Sequence, residues 1–284
     1  MNCGSLSWSW SRDRLFSFCP RAYWLYYHGA GGGWSALAEP ELQQIYRLKK
    51  MIPGNWWLDQ LFSEALRSTL PFSGKGFAAA VSKLFDRGCG QIRRRDWLQD
   101  PGTLNIAEIY YSEIEPELFL KNSRRELRRR LEVLESSPLP QILTQIGEID
   151  RCLLQYPCEI AVGAVTAWCN PVIAWHDQGQ LLFLNQLNPD SERFSATLQC
   201  VLAMQKFQIP PSRVGFVGYN YETGEFREFS AKALEISITL ADIEKRAFSL
   251  NPVAFMPNHE NCPSCRFRQY CADVPEDQHP IYSA

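Results

Sequence analysis

Three cysteines crowd one short stretch late in the sequence, Cys262-Pro-Ser-Cys265 followed by Cys271. A Cys-x2-Cys pair puts two thiolates on one turn, where they can grip a single metal centre, and a helical turn brings Cys271 back to the same side. Three thiolates leave a tetrahedral or cubane site one ligand short. Cys19, in Phe-Cys-Pro-Arg, is the best fourth donor because it repeats the Cys-Pro pairing seen at Cys262. Four thiolates suit zinc or an iron–sulfur cluster. Zinc favours two Cys-x2-Cys pairs and only one is present, so the distant Cys19 tilts the expectation toward iron–sulfur, with zinc as the alternative. His259 is a further candidate ligand beside the cluster, and the bland reading is a set of unligated cysteines.

The chain has ten cysteines among 284 residues. Cys3, Cys89, Cys152, Cys158, Cys169 and Cys200 read as ordinary core or surface residues, since a free cysteine among apolar neighbours behaves as a small hydrophobe. A content of 45% hydrophobic and 13% aromatic residues suffices for a real core. The net charge of -2 announces no nucleic-acid binder, so any basic surface must be local. No apolar run approaches the roughly 18–20 residues that span a bilayer. Met1 to Arg14 carries no apolar stretch of the signal-peptide kind, and a cytoplasmic protein with no membrane association is expected.

The elements that must position these residues alternate in texture. Residues 5–28 read as a polar lead-in and an aromatic-rich helix capped by Ser11, with Pro20 starting a new first turn. Residues 29–33 read as a flexible glycine loop. Helical periodicity covers 39–52 and 56–70, then most of 77–153 with breaks at 100–102 and 136–140. Short apolar runs follow at 159–168, 171–176 and 180–185, the last two joined by an Asp177-Gln178-Gly179 hairpin turn. A helix at 192–207, a strand at 213–219 paired across Glu222-Thr223-Gly224 with 226–229, and a helix at 242–249 complete an α/β pattern with a central mixed sheet.

Taken together, Ser9 or Ser11, Cys19-Pro20-Arg21, Tyr23 and Tyr26 near the start, with Cys262-Pro263, Cys265 and Cys271 near the end, resemble the iron–sulfur branch of the PD-(D/E)XK nuclease superfamily. That branch includes RecB-like and AddB-like exonuclease domains and CRISPR-associated nucleases. The resemblance implies one restriction-endonuclease-like domain over 1–284, a mixed sheet flanked by helices. It also implies a helical insertion at 77–153, cluster-binding elements at 19 and 258–275, and a 4Fe-4S cluster that staples the C-terminal segment. Tying residue 19 to residue 262 closes a loop of over two hundred residues and removes unfolded-chain entropy, so metal binding becomes folding free energy.

Such nucleases hold magnesium or manganese on acidic residues and position water with a lysine. Laid on this chain, the first acid falls on Asn170 and the acid-x-lysine on Asn185-Gln186-Leu187. The histidine position falls on Ser63. Gln199 matches an expected glutamine, whereas Ala203 replaces the tyrosine after it. A neutral amide is a poor ligand for a hard cation, and a leucine supplies neither charge nor hydrogen bond. The resulting expectation is a pseudonuclease: a DNA-binding or scaffold subunit of a DNA-processing or defence complex, partnered by other proteins. The alternative is an active metal-dependent DNA exonuclease whose acids are Asp150, in Gly-Glu148-Ile-Asp, and Glu159, with Lys206 as the lysine. A solvated turn is the bland reading of Glu148 and Asp150.

Lys121, Arg124, Arg125, Arg128 and Arg129 fall on adjacent faces of one helix and could track a phosphate backbone. The bland reading is a solvated face paired with Glu126 and Glu132. Arg93-Arg94-Arg95 is a weaker patch. Trp8, Trp10, Tyr23, Trp24, Tyr26 and Tyr27 read as core aromatics at helical spacing.

Overall fold

Ser9 begins the ordered helical entry: its Oγ accepts the Arg12 backbone N–H at 3.2 Å, satisfying an orphan donor of the first turn. The cap is thus Ser9 rather than Ser11, and helix α1 runs Trp10–Phe18 behind strand β1, Leu6–Trp8. The computed structural model describes residues 6–147, 150–250 and 255–271. Next come α2 (Pro20–Trp24), a wide turn over Leu25–Gly29, α3 (Pro40–Lys50), β2 (Met51–Ile52), α4 (Gly54–Ser68) and α5 (Gly74–Arg94). They are followed by β3 (Asn105–Ile106), α6 (Ala107–Tyr110), α7 (Pro116–Glu135) and α8 (Leu139–Gln145). The sheet-rich part holds β4 (Arg151–Cys152), β5 (Cys158–Val162), β6 (Val165–Cys169), β7 (Ile173–Asp177) and β8 (Gln180–Gln186). It continues through α9 (Pro189–Phe207), β9 (Val214–Tyr219), β10 (Phe226–Ser230) and α10 (Ile236–Ser249).

The protein is mixed α/β, and its chain divides into two compact units. The first comprises residues 6–13, 61–82 and 127–250 of those described. Its five-stranded sheet has the order β10-β9-β8-β7-β4, with β8 and β9 parallel and the other neighbours antiparallel. The β7–β8 hairpin turns through Gln178 and Gly179 at φ 44° and 80°, the left-handed pair that two-residue hairpins demand. Parallel β8 and β9 need a crossover, and α9 provides it. Asn188 accepts the Asp190 N–H at 3.2 Å and Pro189 fills the first helical position.

The apolar run 159–168 is not part of that sheet. It folds as the β5–β6 hairpin, and β1 joins β6 in parallel to make a separate three-stranded sheet. Helix α9 packs against β5, β6, β9 and α10, which explains why residues 196–203 are buried on every side. Met51 and Ile52 form a strand with Asn105 and Ile106 rather than a last helical turn, and the expected helical stretch 77–153 likewise includes β3 and ends in β4.

The second unit holds residues 14–60, 83–126 and 255–271. Its core gathers Ala22, Leu25, Ile45, Leu48, Met51 and Phe267, with Cys19 and Cys265 in the same cluster. Part of the glycine run is packed rather than free: a Cβ on Gly33 would stand 2.2 Å from the Leu42 carbonyl oxygen and 2.7 Å from Cβ of Tyr46. Helix α3 therefore rests directly on the Gly33 backbone. Gly33→Ala is expected to cost about 3 kcal/mol in denaturant unfolding, because a backbone must move to admit the methyl. A midpoint unchanged from the parent would show that this contact is slack.

Candidate metal centre

Cys19 occupies the joint between two helices. Its N–H closes the last bond of α1 on Leu15 at 2.9 Å, and its carbonyl opens α2 by accepting the Tyr23 N–H at 3.0 Å. Pro20 at the first position of α2 fits because that residue's N–H has no intrahelical partner in any case. The other three cysteines lie on two short 3-10 turns, His259–Ser264 and Arg268–Tyr270, and the residues bounding them. The Cys265 N–H bonds to the Cys262 carbonyl at 3.0 Å, folding Cys262-Pro-Ser-Cys265 into one turn.

All four cysteines are buried and line one pocket, together with Arg21, Asn258, Asn261 and Arg268. Two sulfurs already accept backbone hydrogen bonds, Cys19 from the Asn258 N–H and Cys265 from the Phe267 N–H, each at 3.4 Å. Such bonds stabilise thiolate ligands. Asn261 Nδ2 donates to the Phe18 carbonyl at 2.6 Å, fastening the cysteine-rich turn to the end of α1. Arg266 donates to the Met51 carbonyl at 2.7 Å, and the Tyr111 hydroxyl donates to the Arg266 carbonyl at 2.5 Å.

Burial pushes the Cys265 thiol up to about 12, with Cys19, Cys262 and Cys271 adding like-charge repulsion. Burial, then Cys271 and Cys19, raises Cys262. Each of these thiols senses the others, which places the four in one electrostatic neighbourhood. Burial favours the protonated form of Cys262 and Cys265, so an ion or cluster bound there would have to displace their protons. Among the described residues, no three His, Cys, Asp or Glu side chains stand ready to hold a metal ion. The donor set fits a thiolate-bound group in another respect, since Nε of Arg21 and Nε of Arg268 are buried donors with no acceptor among the described residues. His259 is exposed and does not line the pocket. Residues 272–275 of the expected cluster-binding element lie outside the described residues.

The positions aligned with a nuclease site are placed as follows. Asn185 on β8 and Gln199 on α9 form a reciprocal amide pair, Asn185 Nδ2 donating to Gln199 Oε1 at 2.9 Å and Gln199 Nε2 donating to Asn185 Oδ1 at 2.6 Å. Leu187 is buried just beyond β8, and a Cβ on Gly218 would meet its Cδ2 at 2.2 Å. Asn170 is exposed ahead of β7. The Ser63 hydroxyl on α4 bonds to the buried Tyr221 hydroxyl at 3.4 Å. Ala203 is fully buried in α9.

The alternative acids do not share a sheet. Asp150 is exposed just before β4, and Glu159 is exposed on β5. Glu148 lies outside the described residues. Glu159 does share a pocket with Lys206, the acid and lysine of that alternative, and also with Cys158, which sequence spacing gave no means to place there.

Lys121, Arg124, Arg125, Arg128 and Arg129 are all exposed on α7. Arg124 pairs with Asp86 at 3.0 Å, and Arg129 donates to the Glu222 carbonyl at 2.8 Å. In the second patch, Arg93 pairs with Glu117 and Arg94 with Asp96, both at 2.8 Å. Trp8 and Trp10 pack on Phe194 at 5.5 and 5.1 Å between ring centroids, as core aromatics do. No helix among the described residues is long and apolar enough to cross a membrane. No family model matches the chain, and no curated protein matches it.

Proposed function

We propose that this protein is a non-cleaving relative of the iron–sulfur PD-(D/E)XK nucleases, with a restriction-endonuclease-like sheet, working in the cytoplasm as a DNA-binding or scaffold subunit beside other proteins. The observation that carries the reading is the Asn185–Gln199 amide pair with Leu187 buried beside it. At the place where such a nuclease needs a carboxylate and a lysine, two neutral amides consume each other's donors and acceptors. A divalent cation gains no charge there to offset its lost hydration. The order of β4, β7, β8, α9 and β9, with one parallel pair among antiparallel neighbours, supports the fold assignment.

Cys19, Cys262, Cys265 and Cys271 would hold a 4Fe-4S cluster, or zinc in the alternative. The unpaired Nε donors of Arg21 and Arg268 favour the cluster, whose sulfides accept hydrogen bonds. The group would supply folding free energy rather than chemistry at a substrate. The exposed cations of α7, Lys121, Arg125 and Arg128 foremost, would meet the phosphate backbone.

An active exonuclease remains the second reading because Glu159 and Lys206 line one pocket. Anaerobically purified protein is expected to be brown and to leave single- and double-stranded DNA intact with Mg²⁺ or Mn²⁺. Metal-dependent degradation abolished by Asp150→Ala or Glu159→Ala would establish the second reading instead. A colourless protein containing zinc would remove the cluster.

A further inference from the structure

Strands β5 and β6 place Cys158 directly opposite Cys169. Both side chains belong to the buried face of the ladder, since 158, 160 and 162 on one strand and 165, 167 and 169 on the other alternate inward. Opposed residues of an antiparallel pair hold their Cα atoms about 4.5–5.5 Å apart, within the roughly 4.4–6.8 Å that a disulfide spans. The two sulfurs differ in access. Both residues are buried, but Cys158 lines a pocket with Tyr156, Glu159, Trp168, Leu202 and Lys206, and Cys169 does not line it.

We propose that Cys158 and Cys169 are a peroxide-reactive thiol pair that closes reversibly to a disulfide, Cys158 attacking through this pocket and Cys169 resolving. A hydrogen bond from the Cys169 thiol lowers the proton affinity of Cys158 against the opposing effect of burial, with Lys206 and Arg67 adding positive potential. The same contact, together with burial, keeps the proton on Cys169. Cys158 therefore gives up its proton more readily than Cys169, the division of labour such chemistry needs.

The Cys158 thiolate attacks one peroxide oxygen, the O–O bond breaks, and hydroxide leaves, giving a sulfenic acid. The Cys169 sulfur then attacks the Cys158 sulfur. The S–O bond breaks, and the hydroxyl leaves with the Cys169 proton as water. Two thiol sulfurs are oxidised to one disulfide while one peroxide is reduced, and an external dithiol restores the pair by exchange. None of this depends on the cluster or on the nuclease reading.

The test treats the full-length protein with one equivalent of hydrogen peroxide, then denatures, alkylates and maps its peptides by mass. A linked Cys158–Cys169 peptide, two hydrogens lighter than the reduced pair and restored by dithiothreitol, is expected. Cys200, which burial pushes up to about 12, serves as the internal reference and stays alkylatable. In the untreated native protein, Cys158 should alkylate at least about tenfold faster than Cys200. Cys169→Ser should trap the sulfenic acid as a dimedone adduct on Cys158. Recovering Cys158 and Cys169 both alkylated after peroxide, or linked only to other cysteines, would overturn the proposal. The wild-type map decides the matter even if Cys169→Ser does not fold.

Discussion

Cys265→Ser is expected to abolish binding of the proposed metal or cluster and to lower the unfolding free energy of the loaded protein by roughly 5 kcal/mol, the scale of releasing a closed loop of over two hundred residues. Serine preserves the shape of the side chain but offers a hydroxyl that does not ionise as a thiol does. Cys265 is the most informative of the four because it is buried with Cys19 and Phe267 in one apolar cluster and receives a backbone hydrogen bond on sulfur. The comparison is Cys200→Ser, equally buried in α9 but far in sequence from the cysteine motif. That variant loses only packing, about 1–2 kcal/mol, and keeps its metal. Elemental analysis and anaerobic denaturant unfolding read both quantities. Full metal content in Cys265→Ser would sink the four-thiolate centre.

Leu187→Lys should destabilise the protein by about 3 kcal/mol, since a cation replaces an apolar side chain packed on the Gly218 backbone. A working nuclease site would welcome a lysine there. Residues two apart on a strand share a face, so Asn185→Asp places a carboxylate beside the new cation. That change alone should also cost about 1–2 kcal/mol, because it turns the Asn185 Nδ2 donor into an acceptor that faces Gln199 Oε1. Combined, the two should cost less than their sum by about 1 kcal/mol, the coupling of a partly buried ion pair. Denaturant unfolding of the parent, both single variants and the double variant closes the cycle. Strict additivity would mean that positions 185 and 187 do not face each other, and the alignment with the nuclease motif would fall.

Much of this was legible before any coordinates. The Asp177-Gln178-Gly179 turn announced its hairpin because only glycine and a few polar residues adopt positive φ cheaply. The shared pocket of Cys19, Cys262, Cys265 and Cys271 was legible because three of these cysteines are neighbours in sequence and Cys-Pro marked the fourth. Other features leave no local trace. Strand propensity says that 158–169 pairs with something, but not that β1 would take β6 away from the larger sheet. Cys158 and Cys169 read as small hydrophobes, and only the register of the hairpin sets them face to face. The cationic face of α7 looked uniform in sequence because Asp86 and Glu222, which hold Arg124 and Arg129, lie 38 and 93 residues away.

The position of Cys19 also bears on biosynthesis. A ribosome adds about 5–20 residues per second, so Cys19 emerges on the order of tens of seconds before the three cysteines that share its pocket. During that interval its thiol, placed between two nascent helices, has no thiolate companions and is open to oxidants or stray ions. If the four cysteines hold the proposed group, all four ligands are present only once translation has proceeded through Cys271. Were the proposed group withheld, full-length chains would lack the tie between Cys19 at the α1–α2 joint and the three later cysteines.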